Sequence, residues 1–298
     1  MTRPPEVVLP GRSVRRLHAA HRDDIGELVT RRPLPGPGIA QVDPFLFLNH
    51  HGPQVYPPEN PGLPFGPHPH RGFETVTFIL AGELAHRDTA GHESVIGAGG
   101  VQWMTAGSGL VHSELSPPEF RRRGGPLEIL QLWINLPARL KMAPPAYVGL
   151  QRDSIPALPT ADGRGRVNLI AGRRGGVEGP IRSLTGVFMS TVELAVGGRV
   201  GFDGLGDRNV FLYLVRGAVD VGGEQAGAYT LVELDREGDR VDIAAVEDSV
   251  LLFGHAEPLG EPVVAHGPFV MNTREEIAQA IRDYQAGRFE AQPADPGR

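Results

Sequence analysis

The sequence predicts an all-β protein: two antiparallel β-barrels or sandwiches in tandem, closed by a C-terminal helix. Three observations predict it. Short apolar runs of strand length alternate with Gly-rich turn signals, a second such series follows a Pro-rich connector in the same order, and one segment near the end carries helical periodicity. Composition agrees, because 40 Gly and 28 Pro among 298 residues are spread along the chain, as many short elements joined by tight turns require.

The first thirty-odd residues, with Arg12, Arg15, Arg16, Arg31 and Arg32 and the Pro-Gly run Pro33 to Pro37, read as an extended leader wrapped onto a core, its charge solvated. From Asp43 onward come strand-like runs at Phe45 to Leu48, Thr75 to Leu80, Ser94 to Ile96, Gly100 to Thr105 and Leu127 to Leu136. Turn signals such as Ala81-Gly82 and Gly97-Ala98-Gly99-Gly100 separate them. After the connector (Pro137, Pro144, Pro145, Pro156, Pro159) the runs resume at Val187 to Leu194, Val210 to Val215, Ala218 to Val221, Tyr229 to Leu234, Val241 to Ala245 and Val250 to Gly254. The segment Phe73 to Gly82 can be laid over Gly206 to Gly217 by matching the terminal glycines, which suggests a duplicated barrel. Thr273 to Phe289 has a capping start, Glu275 and Glu276 in the first turn, and apolar residues at Ile277, Ala280, Ile281 and Tyr284, the pattern of an amphipathic closing helix. The expected domains are 1–145, carrying the leader, and 146–298, ending in the helix.

The formal net charge of −6, with no basic stripe, argues against direct nucleic-acid binding. The chain has no cysteine. Disulfides, thiolate sites and thiol switching are therefore excluded, and His and carboxylate are left as the strong metal ligands. Met1 to Pro10 has no apolar core of signal-peptide length, and no run of 18 apolar residues occurs anywhere. The expectation is a cytoplasmic, monomeric protein without membrane contact.

Two pairs carry the candidate chemistry. Pro67-His68-Pro69-His70 and Val111-His112-Ser113-Glu114 each place two donors at i and i+2, which face the same side of a strand. Two such strands in one barrel bring four ligands to one space. A single His on a strand is most often an ordinary buried or capping residue, so neither pair means much alone; the two together, each in a glycine-rich context, point to a metal. His255-Ala256-Glu257 repeats the second pattern, but no His pair precedes it at a matching distance, and the alignment of Gly82 with Gly217 sets Asp203 and Leu205 opposite His68 and His70. The second barrel is therefore expected to lack a metal. Three imidazoles and a carboxylate suit Fe(II), Mn(II), Ni(II), Cu(II) or Zn(II), and the positions they leave open on a six-coordinate ion are what a substrate and dioxygen need.

With these residues in hand, the chain resembles the pirin family, iron-binding bicupins of the cupin superfamily. The resemblance rests on Asp43-Pro44-Phe45-Leu46, the His68 to Thr77 stretch, Gln102 to Gly107, His112-Ser113-Glu114, Leu130 to Pro137 and Gly267 to Thr273, and spans roughly residues 12 to 289. It implies two cupin-type barrels and one iron(II) on His68, His70, His112 and Glu114. Glu74 stands where the general cupin pattern often has a ligand, but the pirin pattern takes its carboxylate from the second motif, so Glu74 is excluded. Asn49-His50-His51-Gly52 departs from what is common in relatives, and His50 and His51 are read as rim residues.

The resemblance also implies two classes of function. Several relatives act as quercetin 2,3-dioxygenases, cleaving the flavonol with dioxygen and releasing carbon monoxide. Glu114 would then be the catalytic base for the flavonol hydroxyl, in a mouth lined by Phe73, Trp103 and Met104. Other relatives are non-enzymatic regulators that bind transcription factors or metabolic enzymes and use the metal as a redox switch. For that reading the run Arg121-Arg122-Arg123 is the surface to examine. The dioxygenase is the favoured expectation, with a small aromatic flavonol as partner.

Overall fold

A computed structural model of the chain describes residues 11–289. The first ten residues, where the sequence predicts no targeting segment, lie outside the described part. Among the described residues no helix is long and apolar enough to cross a membrane.

The fold is all-β, and each of its two compact units is built on a seven-stranded and a four-stranded antiparallel sheet. In the first unit the larger sheet runs 146–150, 101–105, 73–81, 125–135, 45–56, 30–34, 21–22, and the smaller runs 65–70, 110–115, 83–88, 93–97. In the second the orders are 14–19, 230–234, 209–216, 249–256, 188–194, 165–171, 157–159 and 199–203, 240–245, 218–221, 224–227. The two layouts match strand for strand over most of their length. Strands 73–81 and 209–216 hold equivalent central places, and the glycines that end them, Gly82 and Gly217, share a φ of +81°. A side chain at either would strike a backbone oxygen, Pro126 O at 2.6 Å or Asp248 O at 2.3 Å, so the turn after the strand requires glycine in both copies.

The boundaries differ from the split expected between 145 and 146. The units are interleaved, one comprising 21–155 and 259–289, the other 11–20 and 156–258. Pairing is the cause. The leader strand Val14–Ala19 lies along Thr230–Leu234, whereas Phe269 bridges Arg71 and carries the C-terminal segment into the first unit. The leader is also more than a solvated arm. Arg12 is buried, and its guanidinium donates to the carbonyls of Gly238 at 3.0 Å, Arg208 at 2.8 Å and Leu205 at 3.1 Å, with Gly206 O a further acceptor.

Alternation supplies the cores. Ile79, Leu127 and Ile129 of the larger sheet meet Leu84 and Ile96 of the smaller in the first unit. Each such fully buried side chain contributes about 2 kcal/mol. The interior of the second unit is filled by apolar residues, Val200, Phe202, Val241 and Ile243 among them, from the strands equivalent to those that carry the histidine pairs in the first. The closing helix spans Arg274–Gln285, shorter than the expected reach to Phe289. Thr273 caps it by accepting from Glu276 N, while the Glu276 carboxylate accepts from the Thr273 amide, and Ile277 and Ala280 are buried.

Candidate metal centre

Strand 65–70 is the outer strand of the four-stranded sheet, which is why it tolerates Pro67 and Pro69: a proline removes only a donor that the edge does not need. Its neighbour, strand 110–115, pairs His112 with His68 and Glu114 with Phe65. Three residue steps on one strand thus oppose two on the other, a bulge between Phe65 and His68. Pro67 and Pro69 face away, and His68, His70 and His112 converge.

Their ring centroids lie 4.4 Å apart for His68 and His112, 4.8 Å for His68 and His70, and 5.0 Å for His70 and His112. One donor nitrogen from each lies within 4.8 Å of the others, and among the described residues this trio is the group of metal-capable donors. Nδ1 of His68 bonds Gly66 O at 2.8 Å and Nδ1 of His70 bonds Pro268 O at 3.2 Å. Each ring is thereby oriented with Nε2 left as donor, the arrangement in which a backbone carbonyl sets the tautomer of a metal ligand. His112 is buried, and neither of its nitrogens has a hydrogen-bond partner. Burial above all, then the neighbouring His68, pushes His70 down to about 3, and burial followed by the neighbouring histidines holds His112 well below its ordinary value. Neutral imidazoles with lone pairs facing one another are suited to a cation. The donor set fits a metal ion.

Glu114 is buried on the same strand but does not join that group. Its carboxylate reaches across the barrel to the larger sheet, accepting from Thr77 Oγ1 at 2.7 Å and Gln131 Nε2 at 2.5 Å. Thr77 and Gln131 are register partners on adjacent strands, so both donors are delivered side by side. Glu74 takes a bond from Thr105 at 2.7 Å and, like Glu114, stands outside the trio.

Other expectations are corrected by the geometry. His50 and His51 are not at the rim. Both are fully buried, His50 Nε2 lying 3.0 Å from Glu128 Oε1 and His51 Nδ1 lying 2.8 Å from Thr30 Oγ1. Trp103 pairs with Val76, one residue out of step with the inward-reaching Thr77, and so faces away from the histidines. The indole near the site is Trp133, stacked on Phe47 at 4.7 Å, 4.5 Å from Phe73 and edge-on to His70 at 5.3 Å. Sequence reasoning also missed His86, whose strand 83–88 it did not predict. His86 lies flat on Tyr147 at 4.0 Å, within 5.5 Å of His112, and bonds Asp88 at 3.0 Å. Its alternation with Asp88 is the one available signal, and it is visible only once the strand is known. His255, by contrast, stacks on Phe188 and accepts from Arg208 Nε at 2.6 Å, and it is not a member of the trio.

Twin barrels, one of them holding inward-facing histidines, place the molecule in the class of bicupins. The comparisons with known proteins name the branch: the family model for pirin matches residues 20–134 and that for the pirin C-terminal cupin domain matches 189–290, and the chain belongs to the pirin family. A Pseudomonas aeruginosa relative named "Putative quercetin 2,3-dioxygenase" is 42% identical over 248 residues, 83% of this chain and 87% of the relative. A "Pirin-like protein" of Caulobacter vibrioides is 42% identical over 271 residues, 90% and 94% of the two chains. The crystal structure of a quercetin 2,3-dioxygenase from Acinetobacter baumannii superposes with a TM-score of 0.89 at 32% identity, covering 95% of this chain and 99% of the other.

Proposed function

We propose that the protein is an iron(II)-dependent dioxygenase acting on a flavonol such as quercetin, with the ion held by His68, His70 and His112. The observation that carries the reading is the buried trio of neutral imidazoles in which His112 has no other partner. The names of the similar proteins support the substrate class. A bound ion of this kind supplies Lewis acidity toward a ligand oxygen and a route for electrons to dioxygen.

The chain's own residues do the rest. His68 is the least buried of the three. Trp133, with Phe47 and Phe73 beside it, forms a flat apolar wall against His70 on which a planar ring system stacks. Glu114 accepts the proton of the flavonol hydroxyl: that O–H bond breaks, a carboxylic acid forms, and the substrate is left as its anion. Thr77 and Gln131 orient the carboxylate for this, and their bonds leave it lone pairs with which Glu114 would serve as a fourth ligand. Mn(II), Ni(II), Cu(II) and Zn(II) suit the same donors.

The regulatory reading gains no such support. Arg121, Arg122 and Arg123 sit on the short helix Pro118–Arg123, where Arg122 pairs with Glu119 and Arg123 with Glu83. The run is internally neutralised in part rather than offered whole to an acidic partner.

The test is dioxygen uptake by anaerobically iron-loaded protein mixed with quercetin, beside His112→Ala. Uptake that requires flavonol, iron and His112 is the expected result. Iron binding through His112 with no uptake across a panel of flavonols would overturn the dioxygenase and leave the metal site standing.

A further inference from the structure

His70 and the two residues after it are tied to the end of the chain by several contacts. Pro268 O meets His70 Nδ1 at 3.2 Å. The backbone of Arg71 bridges Phe269, and its carbonyl accepts from Val270 N at 3.1 Å. The Arg71 guanidinium donates to Asp283 Oδ2 of the closing helix at 2.8 Å and to Ser108 O at 2.7 Å, and lies 4.6 Å over the ring of Phe289. Both partners of the Arg71–Asp283 pair are nearly excluded from water, with side-chain exposures of 6% and 10%. Gly72 approaches so closely that a side chain there would come within 1.9 Å of Val270 O, and the buried Lys141 ammonium bonds both Gly72 O and Val270 O at 3.0 Å.

The strand of His112 is backed by the same segment. Phe289 O accepts from Thr89 Oγ1 at 2.6 Å, and Thr89 in turn exchanges bonds with the backbone of Val111 at 2.9 and 3.1 Å. Val111, the residue before His112, packs with Phe269, Ile277 and Phe289.

We propose that the C-terminal segment 268–289 is a positioning element of the metal centre, Arg71 and Asp283 setting His70 and Phe289 setting the strand of His112, so that metal occupancy and docking of the segment are coupled. The inference rests on the reading of the histidine trio as a metal site. Its physical basis is that an ion needs its donors already in place. A segment that orients two ligand-bearing strands lowers the cost of binding, and by reciprocity the ion stabilises the segment. None of these groups touches the ion or a substrate; they act through His70 and His112.

The experiment uses Ni(II) alone as probe, added to the full chain. Equilibrium competition with a chelator measures affinity, and hydrogen exchange follows the amides of residues 274–285 with and without Ni(II). Wild type is expected to bind, with the helix amides protected on loading. His112→Ala is expected to lose both effects. Asp283→Asn and Phe289→Ala are expected to bind about tenfold to a hundredfold more weakly, with shifted d–d absorption bands, while Asp283→Glu recovers part of the affinity.

Binding that depends on His112 but is the same in Asp283→Asn and Phe289→Ala overturns the coupling and leaves the metal site intact. Weaker binding without metal-dependent protection of the helix in wild type means that the substitutions act by general destabilisation, which also overturns it. If wild type binds no Ni(II), the metal reading and the coupling fall together. The exchange measurement needs no substitution, so it decides the matter even where Asp283→Asn does not fold.

Discussion

A buried imidazole with both nitrogens unpartnered, as in His112, costs about 1–3 kcal/mol if nothing answers it. On the proposed reading a bound ion would answer it, and the consequence is measurable: chelation is expected to lower the melting temperature of metal-loaded wild type and to leave His112→Ala unmoved. The carboxylate makes a separate prediction. Glu114→Gln retains the shape and one acceptor for Thr77 or Gln131, so metal content should persist while kcat for flavonol falls by about 10² to 10⁴; loss of metal together with activity would instead mark Glu114 as a ligand. The histidines were legible in the sequence because i and i+2 on a strand share a face, whatever the tertiary fold. The restraint on Glu114 was not, because Thr77 and Gln131 reach it from the opposite sheet.

At the scale of elements, the turn between strands 65–70 and 73–81 is the most constrained connection near the site. Gly72 has a φ of +90° and abuts Val270 O, so Gly72→Ala combines left-handed strain with a backbone clash. A loss of about 2 kcal/mol or more is expected, read as a lower urea midpoint, and a neutral effect would mean that the C-terminal segment gives way readily. The closing helix offers a milder case. Thr273→Ala removes one half of the capping box and should cost about 1 kcal/mol. Helix and cap were readable from local chemistry, and so were the long central strands. Strands 83–88 and 199–203 were not, since their short, charge-bearing runs become strands only by pairing with neighbours.

At the scale of the whole molecule, stability should fall on mild acidification. Burial above all, then His50 and Arg32 beside His51 and Arg208 and Arg12 near His255, pushes both down to about 3 from an ordinary value near 6.5. Above pH 6.5 both are neutral whether folded or unfolded and contribute no pH dependence. Between about 6.5 and 3 the unfolded chain takes up protons that the folded one refuses, so each residue removes roughly 1 kcal/mol per pH unit as the pH drops. His51 lies in one unit and His255 in the other, so both should be affected. Urea midpoints at pH 7, 5.5 and 4 check this, and His255→Phe, which keeps a ring against Phe188, should flatten the slope.

Pattern alone determined the all-β class, the duplication and the histidine pairs, because each depends on periodicities of two and on glycines whose φ no other residue adopts comfortably. The order of the glycines at 82 and 217 was enough to align the copies. Tertiary structure decided what pattern leaves open: that the chain's ends exchange units, that Trp133 rather than Trp103 faces the histidines, and that Thr77 and Gln131 hold Glu114. Each of these is a contact between residues distant in sequence, and such contacts exist only once the sheets have closed and brought their inward faces together.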